Sequence, residues 1–149
     1  MEVTLAPGAP DEGFRHRFEA SFIGGMEPVL AVIGMTRATL EEHMRSTGRV
    51  RTIEVDGEGA GSIWTELRGR TLHLHALLLE EAYRGRGIGA RVLSLLEDEV
   101  AGEADDVELG VEDANVAARR LYEKAGFREV GARPEIGFRI LKKALNETG

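Results

Sequence analysis

The run Tyr83-Arg84-Gly85-Arg86-Gly87-Ile88-Gly89 has the make-up of an anion-binding loop. Glycine at alternate positions lets the backbone turn tightly and approach a ligand without obstruction by a side chain. Helix N–H groups opening behind such a loop point outward, backed by the positive end of the helix dipole, and a pyrophosphate suits them. Arg84 and Arg86 can add charge-assisted contacts. Just upstream, His73 and His75 stand two apart in a strand-like run. Both side chains are expected on one face, which would continue to Leu77 and Leu79. Imidazole titrates near neutral pH, so the pair is a candidate base; one core and one surface histidine would explain the pattern equally well.

These groups need elements to hold them. Val3 to Leu5 reads as a short strand, and Phe14, Phe18 and Phe22 recur at helical spacing behind the cap Asp11, predicting a helix to about Gly24. Met26 to Met35 is apolar but broken by Pro28 and Gly34, and its state stays open. Thr39 with Glu42 predicts a capping box for a second helix ending near Gly48. The pattern then changes to period two. Val50 to Asp56, Ala60 to Leu67 and Thr71 to Leu79 read as antiparallel strands joined at Asp56-Gly57 and Arg68-Gly69. Behind the glycine loop, Ile88, Val92, Leu95, Leu96 and Val100 share a helix face. Val107 to Val111 is a fifth strand, Asn115 caps a helix closed by Gly126, and strands near 127–132 and 136–141 end the pattern. The expected fold is α+β in three layers, a mixed and mostly antiparallel sheet flanked by helices.

A dinucleotide fold would need another glycine spacing and a parallel strand-helix-strand opening, whereas three hairpin-linked strands precede this loop. Arg84, Gly87 and Gly89 in the order Arg-x-x-Gly-x-Gly resemble the coenzyme A pyrophosphate motif of the Gcn5-related N-acetyltransferases. Downstream, Leu109-Gly110-Val111, Asn115, Ala118, Leu121-Tyr122 and Gly126-Phe127 look like the second coenzyme-binding segment of that family. The resemblance spans residues 71–127, nearly two fifths of the chain. It implies one acyltransferase domain over residues 1–149, with its sheet splayed at the centre. It also implies acetyl-coenzyme A as co-substrate and no metal. The pyrophosphate would lie on Arg84, Gly85, Arg86, Gly87, Ile88 and Gly89, and the pantetheine along the main chain near Leu77 and Leu79. Asn115, Ala118 and Tyr122 would lie near the pantetheine and the sulfur.

Acetyl transfer to an amine needs a neutral nucleophile, a stabilised oxyanion and a proton for the departing thiolate. The resemblance makes Tyr122 the candidate acid, against the reading that it is a core aromatic beside Leu121 and Ala125. The run from His73 to Arg84 also resembles serotonin N-acetyltransferase, in which a His-x-His pair relays the amine proton. Some family members carry a glutamate within a Leu-Glu-Val run of the fifth strand; here that position is Gly110. Its absence leaves room for a histidine or a water relay. Glu66, Glu80 and Glu112 are alternative bases or amine anchors, though acidic residues at solvated strand ends are common.

The 149 residues carry a formal charge of −7, with 42% apolar and 30% charged residues, an ordinary globular balance. That sign disfavours nucleic acid and favours cationic partners. The chain has no cysteine, so a thiolate metal site and a cysteine acyl-enzyme are excluded and direct transfer in a ternary complex is expected. No secretion signal and no bilayer-length apolar stretch are read, which gives the expectation of a cytoplasmic protein that does not use a membrane. The expected acceptor is a small-molecule amine; Phe18, Phe22, Met26, Met35, Trp64 and Phe138 are candidates to line its pocket, against the reading that most of them are core residues. A protein lysine or N-terminal acetyltransferase and a non-catalytic coenzyme A-binding regulatory module are the alternatives. Exposed sheet edges point to a possible homodimer.

Overall fold

In the computed structural model, which describes residues 1–145, seven strands form one sheet in the order β1-β2-β3-β4-β5-β7-β6. The chain runs β1 (Val3–Pro7), α1 (Glu12–Ala20), α2 (Met26–Ile33), α3 (Arg37–Ser46), β2 (Arg49–Val55), β3 (Glu58–Arg68) and β4 (Thr71–Leu79). A short 3-10 turn, Glu81–Tyr83, leads to α4 (Ile88–Glu99). Then follow β5 (Asp106–Glu112), α5 (Val116–Lys124), β6 (Arg128–Arg133) and β7 (Phe138–Ala144). All neighbouring strands are antiparallel except β4 and β5. The expected mixed sheet flanked by helices is the observed one.

Alternation buries both sheet faces. On one, Ile53, Ile63, Leu72, Leu74 and Leu109 meet the apolar stripe of α4, Ile88-Val92-Leu96. On the other, Trp64, Ala76 and Leu78 meet Phe14 of α1, Leu30 of α2 and Leu40 and Met44 of α3. Trp64 is 2% exposed and its indole N–H donates to Thr47 O at 2.9 Å, so burying the ring leaves no donor unpaired.

The ambiguous apolar stretch is a helix, α2, with Pro28 in its first turn, where a missing N–H costs nothing, and Gly34 closing it at φ 75°. Three helices therefore precede β2, not two. The capping box also shifts. Thr36 is the cap, and its hydroxyl accepts from Thr39 N while Thr39 Oγ1 accepts from Thr36 N.

A bulge changes β4. Trp64 pairs with Ala76 and Thr65 with Leu74, so His75 is an extra residue in the ladder. Leu72 and Leu74 face α4 before it, Leu77 and Leu79 face α4 after it, and Ala76 and Leu78 face the α1–α3 side. The face carrying His73 and His75 thus continues to Ala76 and Leu78, which corrects the expected continuation to Leu77 and Leu79. Parity along a strand holds only while the ladder is regular.

Strands β4 and β5 pair from Thr71↔Asp106 to Leu74↔Leu109 and no further. Beyond that point they diverge, β4 following β3 and β5 following β7. The sheet is splayed at its centre.

Candidate active site

A cavity of about 130 Å³ occupies the wedge where β4 and β5 part. Its walls are residues 74–78 of β4, residues 109–112 of β5, Asn115, Ala118 and Tyr122 at α5, and Phe18, Ser21, Phe22 and Phe138 at its outer side. Among the described residues, main-chain groups of residues 75–79 that point away from β3 have no strand partner there, because the β4–β5 ladder ends at Leu74. Such an edge offers donors and acceptors to an extended ligand.

The glycine loop stands at the end of β4. Gly85 and Gly87 have φ of 72° and 79°, which a side chain would strain, and a Cβ on either would meet, beyond its chain neighbours, no atom of the described residues within 4 Å. Gly87 caps α4 with no side chain bonded to the helix end, so the first helical N–H groups are left for a ligand. Gly89 serves differently. A Cβ there would stand 2.9 Å from Leu121 Cδ2, so this glycine packs against the Leu121 side chain of α5. Ile88 is 1% exposed in the core, and only its main chain can face an anion. Arg84 and Arg86 are exposed; Arg84 Nε donates to Leu79 O at 3.1 Å, tying the loop to the strand end, and the Arg86 guanidinium lies 5.5 Å over the Tyr83 ring.

His75 lines the wedge and His73 does not. The His75 ring stacks on Trp64 at 4.3 Å, and its Nε2 bonds Glu66 Oε1 at 2.9 Å. Burial pushes its pKa down to about 4, against the raising effect of the Glu66 bond. Burial opposes the charged form of Glu66 too, but hydrogen bonds to His75 and Arg68 outweigh it and hold the carboxyl below its ordinary range. The His73 ring lies 4.5 Å from that of His75, and its buried Nδ1 approaches Glu108 at 3.5 Å without a hydrogen bond. Burial and then the Arg68 charge lower the His73 pKa. Both imidazoles are therefore neutral at pH 7. With Nε2–H donated to ionised Glu66, the His75 tautomer leaves Nδ1 as the lone-pair acceptor.

Tyr122 is 8% exposed, with its ring edge-on to Phe127 at 5.6 Å. Burial pushes its pKa up to about 12, so at neutral pH it keeps its proton and can donate it. Asn115 caps α5 through a bond from Ala118 N to its Oδ1 at 3.1 Å. Of the expected residues, the wedge gathers His75, Leu77, Asn115, Ala118 and Tyr122, while Leu79 and 84–89 continue from its β4 side. Of the expected acceptor residues, Phe18, Phe22 and Phe138 line it, whereas Met26, Met35 and Trp64 belong to the core under α1–α3. The Glu66–His75 bond was not anticipated; only the hairpin-linked strands bringing the two residues into range could have suggested it. A second cavity, about 230 Å³, lies among α1, α2 and α3, away from β4 and β5. Among the described residues no His, Asp and Glu cluster has the arrangement of a metal site.

Residues 16–127, more than half of the chain, match the model of the acetyltransferase (GNAT) family. A mycothiol acetyltransferase of Beutenbergia cavernae is 36% identical over 89 residues, 55% of this chain and 29% of that protein. The N-alpha-acetyltransferase RimI of Mycobacterium tuberculosis is 43% identical over 60 residues, 40% of this chain and 37% of that one. The chain thus spans well under half the length of these curated relatives. The crystal structure of PaiA N-acetyltransferase from Thermoplasma acidophilum in complex with coenzyme A superposes with a TM-score of 0.70 at 18% identity, over 97% of this chain and 99% of that one.

Proposed function

This chain belongs to the acetyltransferase (GNAT) family, and on that premise we propose that it moves an acetyl group from acetyl-coenzyme A to the primary amine of a small molecule, by direct attack in a ternary complex. The observation that carries the reading is the wedge at the β4–β5 splay. It joins an unpaired strand edge, a neutral histidine and a protonated tyrosine in one cavity. The donor's fit rests on the uncapped start of α4 and the open space over Gly85 and Gly87, which suit its pyrophosphate. The free edge of β4 suits its pantetheine.

The thioester supplies an activated acetyl carbonyl, and the chain supplies order and proton traffic. As the amine nitrogen bonds to the carbonyl carbon, His75 Nδ1 takes the nitrogen's proton, and the charge that develops on the ring is stabilised by Glu66 at Nε2. Tyr122 gives its hydroxyl proton to the sulfur as the C–S bond breaks, leaving amide and free thiol. We assign the next step of the proton's path to His73, whose ring lies 4.5 Å from that of His75 and whose Nδ1 lies 3.5 Å from Glu108. The similarity to RimI supports a second reading, a peptide amine as acceptor.

The test is release of free thiol from acetyl-coenzyme A against a panel of small amines and short peptides. The chain contains no cysteine and stays silent in that assay. Turnover with a small amine and not with peptides supports the reading. Turnover with peptides alone favours the second. Silence throughout, with coenzyme bound, points to a regulatory module. Dimerisation through the edge strand β6, where Val130 is 58% exposed, is part of the proposal, and light scattering reports it.

A further inference from the structure

The acceptor end of the wedge has a composition that selects among amines. Phe18 and Phe22, at and just past the end of α1, stand 5.2 Å apart, and Phe22 lies 6.3 Å from Phe138 at the start of β7. These three rings line the wedge together with His75 and Tyr122. Glu112 is the cross-strand partner of Phe138, and its Oε1 accepts from Ile23 N at 3.1 Å, closing the corner where the aromatic segment meets β5. Among the described residues, no lysine or arginine lines the cavity. His75 is neutral at pH 7, so the walls present one carboxylate, no cation and an aromatic surface.

From this, and resting on the acetyl-transfer reading above, we propose that the acceptor is a primary monoamine with a flat apolar body and no carboxylate. The body would lie against Phe18, Phe22 and Phe138, where ring faces also favour an approaching ammonium. Glu112 would draw the cation in before its proton is lost. An α-amino acid carries its carboxylate next to the reacting nitrogen, and here that charge would meet Glu112 with no positive partner; such unpaired like charge is rejected strongly. A polyamine brings further ammonium groups to a cavity whose described lining offers only the Glu112 carboxylate to pair them. Neither class suits this site.

The experiment compares 2-phenylethylamine with L-phenylalanine, which differ by the carboxylate, and adds spermidine and a phenylalanyl dipeptide amide, all in the thiol-release assay. The expected kcat/KM for phenylethylamine exceeds that for phenylalanine by about 100-fold, with spermidine and the dipeptide also below it. Glu112→Gln keeps the oxygen that accepts from Ile23 N and removes the charge. It should narrow the phenylethylamine-to-phenylalanine ratio about 10-fold, chiefly through KM. Phenylalanine, spermidine or the dipeptide turning over within threefold of phenylethylamine overturns this inference and leaves acetyl transfer standing. So does a Glu112→Gln protein with the wild-type ratio. Silence of the whole panel overturns the acetyl-transfer reading and this inference with it.

Discussion

Replacing His75 by glutamine should flatten the dependence of stability on pH in a defined window. The imidazole has an ordinary pKa of 6.5 in the unfolded chain and about 4 in the folded one, because burial against Trp64 disfavours its charged form. Above 6.5 both states hold it neutral and it adds no pH dependence. As the pH falls from 6.5 toward 4, the unfolded chain binds the proton and the folded chain does not, so stability is lost. Between about pH 7.5 and about pH 5 the loss from this one group comes to about 2 kcal/mol. Glu66, held below its ordinary range, loses its contribution at lower pH, under its usual 4.5. His73 is shifted down as well but is unchanged in the variant, so the difference between the two proteins isolates His75. Urea unfolding of wild type and His75→Gln at both pH values measures it. An equal pH dependence in the two proteins would refute the reasoning, since His75 would then titrate as a solvated imidazole.

Tyr122→Phe should lower kcat by about 100-fold while leaving acetyl-coenzyme A affinity nearly unchanged, read by steady-state kinetics beside calorimetry. Gly87→Val should abolish coenzyme binding, because it puts a branched side chain at φ 79° in the open space above α4; unchanged affinity would remove the loop from the donor site. Gly61→Ala should destabilise the fold by about 3 kcal/mol, since its Cβ would stand 2.0 Å from Leu78 O and must push β3 from β4; a melting temperature within a degree or two of wild type would contradict the packing.

Much of this fold was legible because its punctuation is chemical. Asp56 and Gly57 take φ of 51° and 83°, the tight turn that their types predict, and Asp11 and Asn115 cap the helices expected of them. The glycine loop was legible for the same reason. The bulge at His75 was not, because the register of β4 is set by its partner β3 and leaves no mark in the alternation of β4 itself. That one residue decides which cavity wall the histidine joins. Helix α2, Met-Glu-Pro-Val-Leu-Ala-Val-Ile, has too few polar positions for a helical period to stand out, and its proline looks like a break until its place in the first turn is known. Gly89 was expected to face a ligand; its packing on Leu121 depends on where α5 lies, which local sequence does not encode.

The central claim is that the β4–β5 wedge and the loop beyond it hold the acetyl donor. Amide hydrogen exchange with and without acetyl-coenzyme A tests it most directly. The account predicts new protection on residues 75–79 and 85–89 and at the start of α5. Protection confined to the cavity among α1, α2 and α3, with residues 75–89 exchanging as before, would contradict it.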